Sequence, residues 1–434
     1  KRGLFQQLLP WTGAWSEGFF CFGGLVLVMS LHVFPFLMTM LKNAMLNIPA
    51  SLEESGAVFG AGFGMRLRRI FAPLLTGNYA IGALLVFVKT LSEYGTPYTL
   101  GRRIGFYVFT TDIHRYSTTA PIDFGRSASL SSVLICICMG MWLLQNYITS
   151  RTSYRLVSGK GSRPARTELS YVGQMLAWLW GLLVVLIAIG VPYFSIISTS
   201  LIKLRGYGLA AGNFTFDHYV ELFSTEKALD SIWCSLFLAV SSATICSVIG
   251  TAVVVTVQRA RGIGKKALEG ISLLPEMLPS IVLVIGIMLF WNAIYRVIPL
   301  YNTIGIMVLA YVVLYLPYTV QYVNSAFTQI NGSLLEAGRT FGGSPSYVFR
   351  RITLPMISRG IFAGWMMIFI IAFRELVTAS LIAPPNVLVV STYINREFEQ
   401  GSVSLGMAMA VLCVLITTTA LLVFNYVTGK ARKA

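Results

Sequence analysis

The chain has 434 residues, of which 56% are hydrophobic and only 12% are charged, and its mean hydropathy is +0.72. Soluble domains carry about 25% charged residues, so this composition excludes a soluble globular protein and indicates a polytopic membrane protein. The net charge of +16 does not indicate a nucleic-acid partner, because Lys and Arg collect in the cytoplasmic loops of membrane proteins.

Nine apolar windows are long enough to cross about 30 Å of hydrocarbon as helices. They lie near residues 18–41, 77–95, 127–148, 173–199, 230–257, 271–295, 303–324, 358–383 and 404–427. Apolar and polar residues do not alternate with period two, and a helix satisfies its backbone groups within one segment. The predicted fold class is therefore an all-α polytopic membrane protein.

The distribution of Lys and Arg between alternate loops predicts the orientation. Nineteen of the 33 lie in 42–76, 149–172, 258–270, 325–357 and the C-terminal tail. The opposite loops and the N-terminus hold 11, and Lys89, Arg359 and Arg374 lie within or at the edge of windows. The richer side is the cytoplasm. We therefore expect a multi-pass membrane protein with a cytoplasmic C-terminus and contact with membrane lipid.

The cysteines and histidines do not indicate a metal centre. All six cysteines stand in apolar runs without a CxxC pair, and the three histidines are scattered along the chain. Isolated cysteines in apolar surroundings behave as small core residues.

A long internal repeat appears when the sequence is shifted by 282 positions. Ser51, Leu52, Glu54, Gly56, Phe59, Gly60, Arg68, Arg69, Ile70 and Pro73 then meet Ser333, Leu334, Glu336, Gly338, Phe341, Gly342, Arg350, Arg351, Ile352 and Pro355. The register continues outside this stretch, since Pro35 meets Pro317, Glu93 meets Glu375 and Thr96 meets Thr378. Both copies lie on the cytoplasmic side, which predicts two parallel halves.

The repeat predicts the domain organisation. Residues 1–148 form the C-terminal part of a first half, 149–172 a basic cytoplasmic linker, and 173–434 a complete second half. The first half shows only the equivalents of the last three windows of the second, and Lys1 is not a Met. We therefore expect an N-terminally incomplete version of a protein with about twelve helices.

The repeated stretches carry a recognisable motif. Glu336-Ala337-Gly338, Gly342 and Ile352-Thr353-Leu354-Pro355 recur as Glu54-Ser55-Gly56, Gly60 and Ile70-Phe71-Ala72-Pro73 at the same spacing. This resembles the EAA motif (E-A-A, three residues, G, nine residues, I-x-L-P) of the membrane-spanning subunits of binding-protein-dependent, type I ABC importers. The departures are Gly for the second Ala in both copies, Ser55 for the first Ala and Ala72 for Leu. We call residues 51–75 and 333–357 the first and second EAA loops.

The residues of the second EAA loop predict a helix-turn-helix. A short helix from about Leu334 to Phe341 would end at Gly342-Gly343, where glycine tolerates a positive φ. Ser344 and Pro345 would begin a second helix as N-cap and first position. Pro355 would end that helix and turn the chain into the next membrane segment.

The resemblance implies a coupling helix that docks on a separate ATPase. Glu54 and Glu336 would contact partner groups or the backbone of their own loop, and the paired arginines would meet acidic partner groups or lipid headgroups. The residues implied in ATPase coupling are Glu54, Gly56, Gly60, Arg68, Arg69, Pro73, Glu336, Gly338, Gly342, Arg350, Arg351 and Pro355. No Walker A sequence is present. The implied partners are two ABC ATPase subunits, which carry the ATP and Mg, and an extracytoplasmic solute-binding protein; the chain itself is not expected to be an enzyme or to hold a cofactor.

Four ionisable residues at membrane depth are candidates for the translocation path or a gate. Lys89 and Glu93 are four apart and suited to an ion pair on one helix face, and Arg374 and Glu375 stand at the matching depth of the other half. The alternative is a structural role, as pairs that satisfy each other. The sequence leaves both interpretations open.

The solute is predicted from two further stretches. Residues 92–115 and 373–394 resemble the branch of fused, two-half permeases that import ferric iron. Fused relatives also carry thiamine, phosphonate, polyamines or another small solute such as an anion, and these stay as alternatives. Two other classes of function are an ion-coupled secondary transporter, which also has parallel repeats, and a membrane assembly subunit that does not transport.

Overall fold

The computed structural model describes residues 18–46, 48–151 and 170–430. Within these ranges the chain forms helices joined by short loops and contains no β-strand; Ile202 and Phe214 form an isolated antiparallel bridge. The all-α fold class predicted from composition and periodicity is confirmed.

The helices are numbered here in chain order. They are α1 (Phe22–Leu46), α2 (Ala50–Val58), α3 (Phe63–Ser92), α4 (Gly95–Thr99), α5 (Phe109–Thr118), α6 (Phe124–Arg151), α7 (Tyr171–Ser200), α8 (Asp217–Ser224), α9 (Glu226–Arg259), α10 (Gly262–Met277), α11 (Ser280–Ala293), α12 (Ile304–Thr328), α13 (Gly332–Thr340), α14 (Pro345–Phe373), α15 (Val377–Ile382), α16 (Val390–Gln400) and α17 (Val403–Lys430).

Eight of the nine predicted windows correspond to single helices that are long and apolar enough to cross a membrane, namely α1, α3, α6, α7, α9, α12, α14 and α17. The window near 271–295 instead contains α10 and α11, which are bent by 107° at Leu278 and Pro279. Both residues have extended backbones. Proline disfavours the helical conformation in the residue before it, so this window is two helices rather than one.

The helix boundaries repeat with the spacing found in the sequence. The pairs of first residues are Phe22 and Ile304, Ala50 and Gly332, Phe63 and Pro345, and Gly95 and Val377, each 282 apart. Beyond α4 and α15 equivalent residues are 281 apart. Val108 N–H donates to the Thr111 hydroxyl, and Val389 N–H donates to the Thr392 hydroxyl, both at 2.9 Å. The two halves therefore share six elements, α1–α6 and α12–α17.

A five-residue π-helical turn precedes the repeated proline in each half. It covers Leu67–Phe71 before Pro73 and Phe349–Thr353 before Pro355. In an α-helix a proline ring collides with the carbonyl four residues earlier and removes a donor. The wider π turn makes room between the ring and that carbonyl. The prediction that Pro355 ends the helix is wrong, because α14 runs through it to Phe373.

The described residues form two compact units, one ending at Phe194 and the other beginning at Ser195. Most of the predicted linker 149–172 lies outside the described residues, so its role as the boundary between halves stays a prediction.

Close helix contacts hold each unit together. In the second unit, a Cβ on Gly250 of α9 would lie 2.7 Å from Thr319 Cγ2 of α12, and one on Gly364 of α14 would lie 3.2 Å from Thr319 Cα. In the first unit, a Cβ on Gly82 of α3 would lie 2.6 Å from a methyl group of Leu37 in α1. Small residues let the backbones of membrane helices approach. Gly82 and Gly364 therefore mark where the helices before and after each EAA loop cross, and Gly250 marks where α9 crosses α12.

Candidate functional site

The second EAA loop begins with α13 and ends that helix in a glycine turn. Gly343 N–H donates to Gly338 O at 3.0 Å, and Gly342 has a φ of +82°. A hydrogen bond from a backbone N–H to the carbonyl five residues earlier, with a left-handed residue between them, defines a Schellman turn. Glycine takes the left-handed conformation without a Cβ clash. The predicted turn at Gly342-Gly343 is confirmed.

The first EAA loop ends α2 in the same way. Ala61 N–H donates to Gly56 O at 2.9 Å, and Gly60 has a φ of +77°. The two loops therefore have the same backbone turn although their sequences differ at Ala61 and Gly343.

The glycine that replaces the second Ala of the motif allows the two helices of each loop to touch. A Cβ on Gly56 would lie 2.8 Å from Ile70 Cδ1, and one on Gly338 would lie 2.7 Å from Ile352 Cδ1. The isoleucine of the I-x-L-P segment therefore packs directly on the backbone of the preceding helix.

The second helix of each loop starts differently in the two copies. Ser344 is the N-cap of α14 and accepts the N–H of Tyr347 at 3.3 Å, and Pro345 follows at the start of the helix. This confirms the predicted helix start. In the first loop Gly62 occupies the N-cap position without a side-chain bond.

A buried ion pair joins α2 to α3 in the first EAA loop. Arg66 Nη1 lies 3.1 Å from Glu53 Oε1, and Glu53 is buried. Leu335 and Val348 stand at these positions of the second loop, and Val348 is buried. Sequence analysis did not identify this pair, because residues 13 apart meet only after the turn has formed.

The outer surface of the EAA loops is alike in both copies. Phe59 and Phe341, at the C-terminal ends of α2 and α13, are 89% and 92% exposed. Glu54 and Glu336 are also exposed, as are the predicted arginines Arg68, Arg69, Arg350 and Arg351 and the prolines Pro73 and Pro355. Each loop thus presents an aromatic ring, a carboxylate and two guanidinium groups to its surroundings.

Glu93 and Glu375 occupy equivalent places beyond the ends of α3 and α14. Glu375 Oε1 accepts hydrogen bonds from the backbone N–H of Thr378 at 3.1 Å and from the Thr378 hydroxyl at 3.2 Å. Glu93 Oε1 accepts hydrogen bonds from the backbone N–H of Thr96 at 3.3 Å and from the Thr96 hydroxyl at 3.4 Å. Each carboxylate therefore caps the short helix that follows it, α4 or α15.

The surroundings of the two glutamates differ. Glu375 also accepts a hydrogen bond from the hydroxyl of Tyr315, which is buried in α12. Glu93 lies 3.8 Å from His32 of α1. The predicted ion pair of Lys89 with Glu93 is not among the ion pairs of the described residues, because Glu93 lies beyond the end of α3 with an extended ψ of 131°. Arg374 is exposed at the end of α14.

The match to a protein family covers the second half of the chain. Residues 248–433, which include the second EAA loop, match the family described as binding-protein-dependent transport system inner membrane component. The match covers 186 of the 434 residues. The first EAA loop, which lies outside the matched residues, shares the spacing and the turn geometry of the second.

Individual proteins match most of the chain at low sequence identity. A ferric transport system permease protein of Actinobacillus pleuropneumoniae is 24% identical over 430 residues, which are 96% of this chain and 60% of that protein. A Fe(3+)-transport system permease protein of Haemophilus influenzae is 24% identical over 405 residues, covering 91% and 74%. A spermidine/putrescine transport system permease protein of the same organism is 23% identical over 240 residues, covering 55% and 91%.

These relatives confirm the resemblance to importer permeases, including the ferric branch. The chain spans about 60% of the length of the Actinobacillus protein.

Proposed function

We propose that the chain is the permease subunit of an ATP-driven importer in a bacterial-type inner membrane, and that its solute is ferric iron. The observation that carries this proposal is the presence of two EAA loops with the same turn and the same exposed chemistry. One loop alone could be an ordinary connection between helices. Two loops 282 residues apart, each held by a Schellman turn and a glycine–isoleucine contact, are two equivalent docking points.

The exposed groups of each loop suit a protein partner. Phe59 and Phe341 are large aromatic side chains with almost their whole surface in solvent, and aromatic and Arg side chains dominate the binding energy of protein interfaces. The exposed carboxylates of Glu54 and Glu336 add charged hydrogen-bond acceptors to the same loops. The proposed partners are two ABC ATPase subunits, one on each loop, which supply the ATP and Mg.

The continuous helix after each loop supports a mechanical role. Because α3 and α14 run without interruption from the EAA loop to the capped turn at Glu93 or Glu375, a displacement of the loop moves the far end of the span. ATP-driven closure of the ATPase pair would then alternate access to the path. In this proposal the motion reaches the four candidate residues of the path or gate, which are Lys89, Glu93, Arg374 and Glu375. The C-terminus is proposed to lie in the cytoplasm.

The choice of ferric iron rests on the two ferric permeases described above, each of which matches more than nine-tenths of this chain. Within residues 18–46, 48–151 and 170–430, no group of three or more His, Cys, Asp or Glu side chains could hold a metal ion. Selection of the solute is therefore assigned to an external binding protein. The second candidate solute is a polyamine, because a spermidine/putrescine permease matches 55% of the chain.

The test is transport in proteoliposomes. The full-length permease is reconstituted with the ATPase and binding protein encoded beside it, and uptake of radiolabelled ferric iron is followed with and without ATP inside. We expect uptake only with ATP, and none with a hydrolysis-deficient ATPase. Uptake that continues without hydrolysis would show an ion-coupled transporter, and uptake of spermidine in place of iron would favour the second solute.

A further inference from the structure

Helix α10 lies against the last turns of two membrane spans. Leu273 packs against the apolar cluster that contains Val254 of α9 and Val323 of α12, and each of these valines stands in the last two turns of its helix. Gln321 of α12 also donates a hydrogen bond to the carboxylate of Glu276. These contacts hold α10 at the level where α9 and α12 end on one side of the membrane.

The direction of α10 differs from that of the apolar helix after it. α10 is bent by 107° from α11, and Gly262, with a φ of +67°, turns the chain at its start. α11 has 14 residues, which is about 21 Å of helix and less than the roughly 30 Å of hydrocarbon. Because α11 is apolar and enters the membrane, a bend of this size places α10 at a shallow angle to the membrane plane.

The side of α10 that faces away from α9 and α12 is apolar. Ile263, Ile271 and Leu274 are 86%, 70% and 42% exposed. Their spacing of eight and three residues places them within about 80° of one another around the helix. Ala267 and Gly270, which are also exposed, belong to the same stripe. An aliphatic stripe on a helix at this level suits the acyl chains of lipid.

Four cationic residues surround the start of α10. They are Arg259, Arg261, Lys265 and Lys266. Over the part of the chain that the structure describes, none of the four takes part in an ion pair, a side-chain hydrogen bond or a cation–π contact. Glu269, one helical turn after Lys265, forms no ion pair with it. Contacts within the described chain therefore do not neutralise these four charges.

The combination of charge and apolar surface differs from that of the EAA loops. There an exposed phenylalanine accompanies a carboxylate and two arginines, whereas α10 has no aromatic residue. Aromatic side chains anchor protein interfaces, and leucine is under-represented among the residues that dominate binding. A basic segment beside an aliphatic stripe is typical of a helix that lies on an anionic membrane surface. Lipid is therefore favoured over a protein as the occupant of this face.

We propose that α10 binds anionic phospholipid. The aliphatic stripe lies among the acyl chains, and the four cationic groups donate charge-assisted hydrogen bonds to headgroup phosphates. Arg259 is the last residue of α9, so the cluster stands where that span leaves the hydrocarbon. A zwitterionic headgroup carries its own cation, and an anionic headgroup is therefore preferred. The proposal depends on neither the solute nor the ATPase partner proposed above.

The experiment compares two lipids on the full-length protein by native mass spectrometry from detergent. Phosphatidylglycerol and phosphatidylcholine with the same acyl chains are titrated, and the Kd of the first bound lipid is measured for each. We expect phosphatidylglycerol to bind about tenfold more tightly, because each Lys or Arg near the headgroups adds attraction for an anionic lipid. Arg261→Gln/Lys266→Gln should reduce this preference to about threefold or less.

Two further variants separate a site from a general charge effect. Lys203→Gln/Arg205→Gln also removes one Lys and one Arg, both exposed, from the loop between α7 and α8, and should leave the preference within about twofold of the unmodified chain. Glu269→Gln removes the acid beside the cluster and should raise the preference by about twofold. The melting temperature of each variant is measured to confirm that it is folded.

Bromine quenching locates the bound lipid. A fluorescent amino acid at Ala267, within the stripe, is compared in nanodiscs that contain brominated phosphatidylglycerol or brominated phosphatidylcholine at the same mole fraction. We expect stronger quenching by the anionic lipid, and less of it in Arg261→Gln/Lys266→Gln. Equal quenching by the two lipids, or an equal loss of preference in Lys203→Gln/Arg205→Gln, would overturn the proposal. Release of ATPase subunits by Ile271→Ser with the lipid preference unchanged would also overturn it and assign the stripe to a protein partner.

Discussion

The residues that join the two helices of each EAA loop differ in chemistry at one pair of positions. Glu53 and Arg66 form a buried ion pair in the first loop, whereas Leu335 and Val348 occupy these positions in the second. Removing two charges from water costs about as much as their attraction returns, so an apolar pair of similar volume can hold two helices equally well. Removal of one charge alone leaves the other buried without its partner.

This difference predicts the effect of exchanging residues between the loops. Arg66→Val alone should destabilise the contact of α2 with α3 by about 3 kcal/mol, because the buried Glu53 loses its ion pair with Arg66. The double variant Glu53→Leu/Arg66→Val, which copies the second loop, should recover most of that loss. Hydrogen exchange of the α2 amides measures the local opening. Equal protection in Arg66→Val and the unmodified chain would show that the ion pair contributes nothing, and equal loss in both variants would show that the apolar pair does not replace it.

In the EAA loops, some single-residue features could be predicted from the sequence and others could not. The glycine turn at Gly342 could be predicted, because only glycine takes a positive φ at no cost. The motif drew attention to Glu54, which is exposed, and not to its neighbour Glu53, which is buried. The partner of Glu53 is 13 residues away, and nothing local in the sequence indicates which acid the turn brings to Arg66.

At the scale of elements, the π-helical turn before Pro355 connects the second EAA loop rigidly to the membrane span. A proline inside an apolar segment can end a helix, kink it or be accommodated by a π turn. The sequence alone could not decide between these outcomes, since they differ only in how the preceding carbonyls are directed. In the window near 271–295, the sequence likewise did not show whether Pro279 ends, kinks or continues the helix. The structure has a break there.

A substitution at Pro355 tests the role of the π turn. Pro355→Ala restores the missing N–H, so we expect the turn to relax to α-helix and to rotate the loop by about 100°, the angle of one residue. Spin labels at Thr340 and Ser358 should then report a changed distance distribution, with an equal or higher melting temperature. Pro345→Ala is the control, because a proline in the first turn of a helix removes no hydrogen bond. An unchanged distance in Pro355→Ala would show that packing, not the proline, maintains the turn.

At the scale of the whole molecule, the two halves share six elements but differ in their side-chain contacts. The first half has an ion pair in its EAA loop and a cavity lined by tyrosine, histidine and arginine side chains at the other end of α3. The second half has a serine cap and a tyrosine hydrogen-bonded to Glu375. The repeat in the sequence predicted the shared elements, because helix boundaries depend on local pattern. The differences depend on side chains that the repeat does not preserve.

The proposed docking of one ATPase subunit on each EAA loop predicts how many of these subunits the chain holds. Truncation of a buried aromatic anchor costs about 2 kcal/mol or more at an interface, which is roughly a thirtyfold loss of affinity. Phe59→Ala or Phe341→Ala alone should therefore leave one ATPase subunit bound, and the double variant none, by native mass spectrometry of the purified complex. Phe216→Ala is the matched control, because Phe216 is similarly exposed but outside both EAA loops. Two bound subunits in the double variant would contradict docking through these rings, and complete loss in either single variant would show that the two ATPase subunits bind only as a pair.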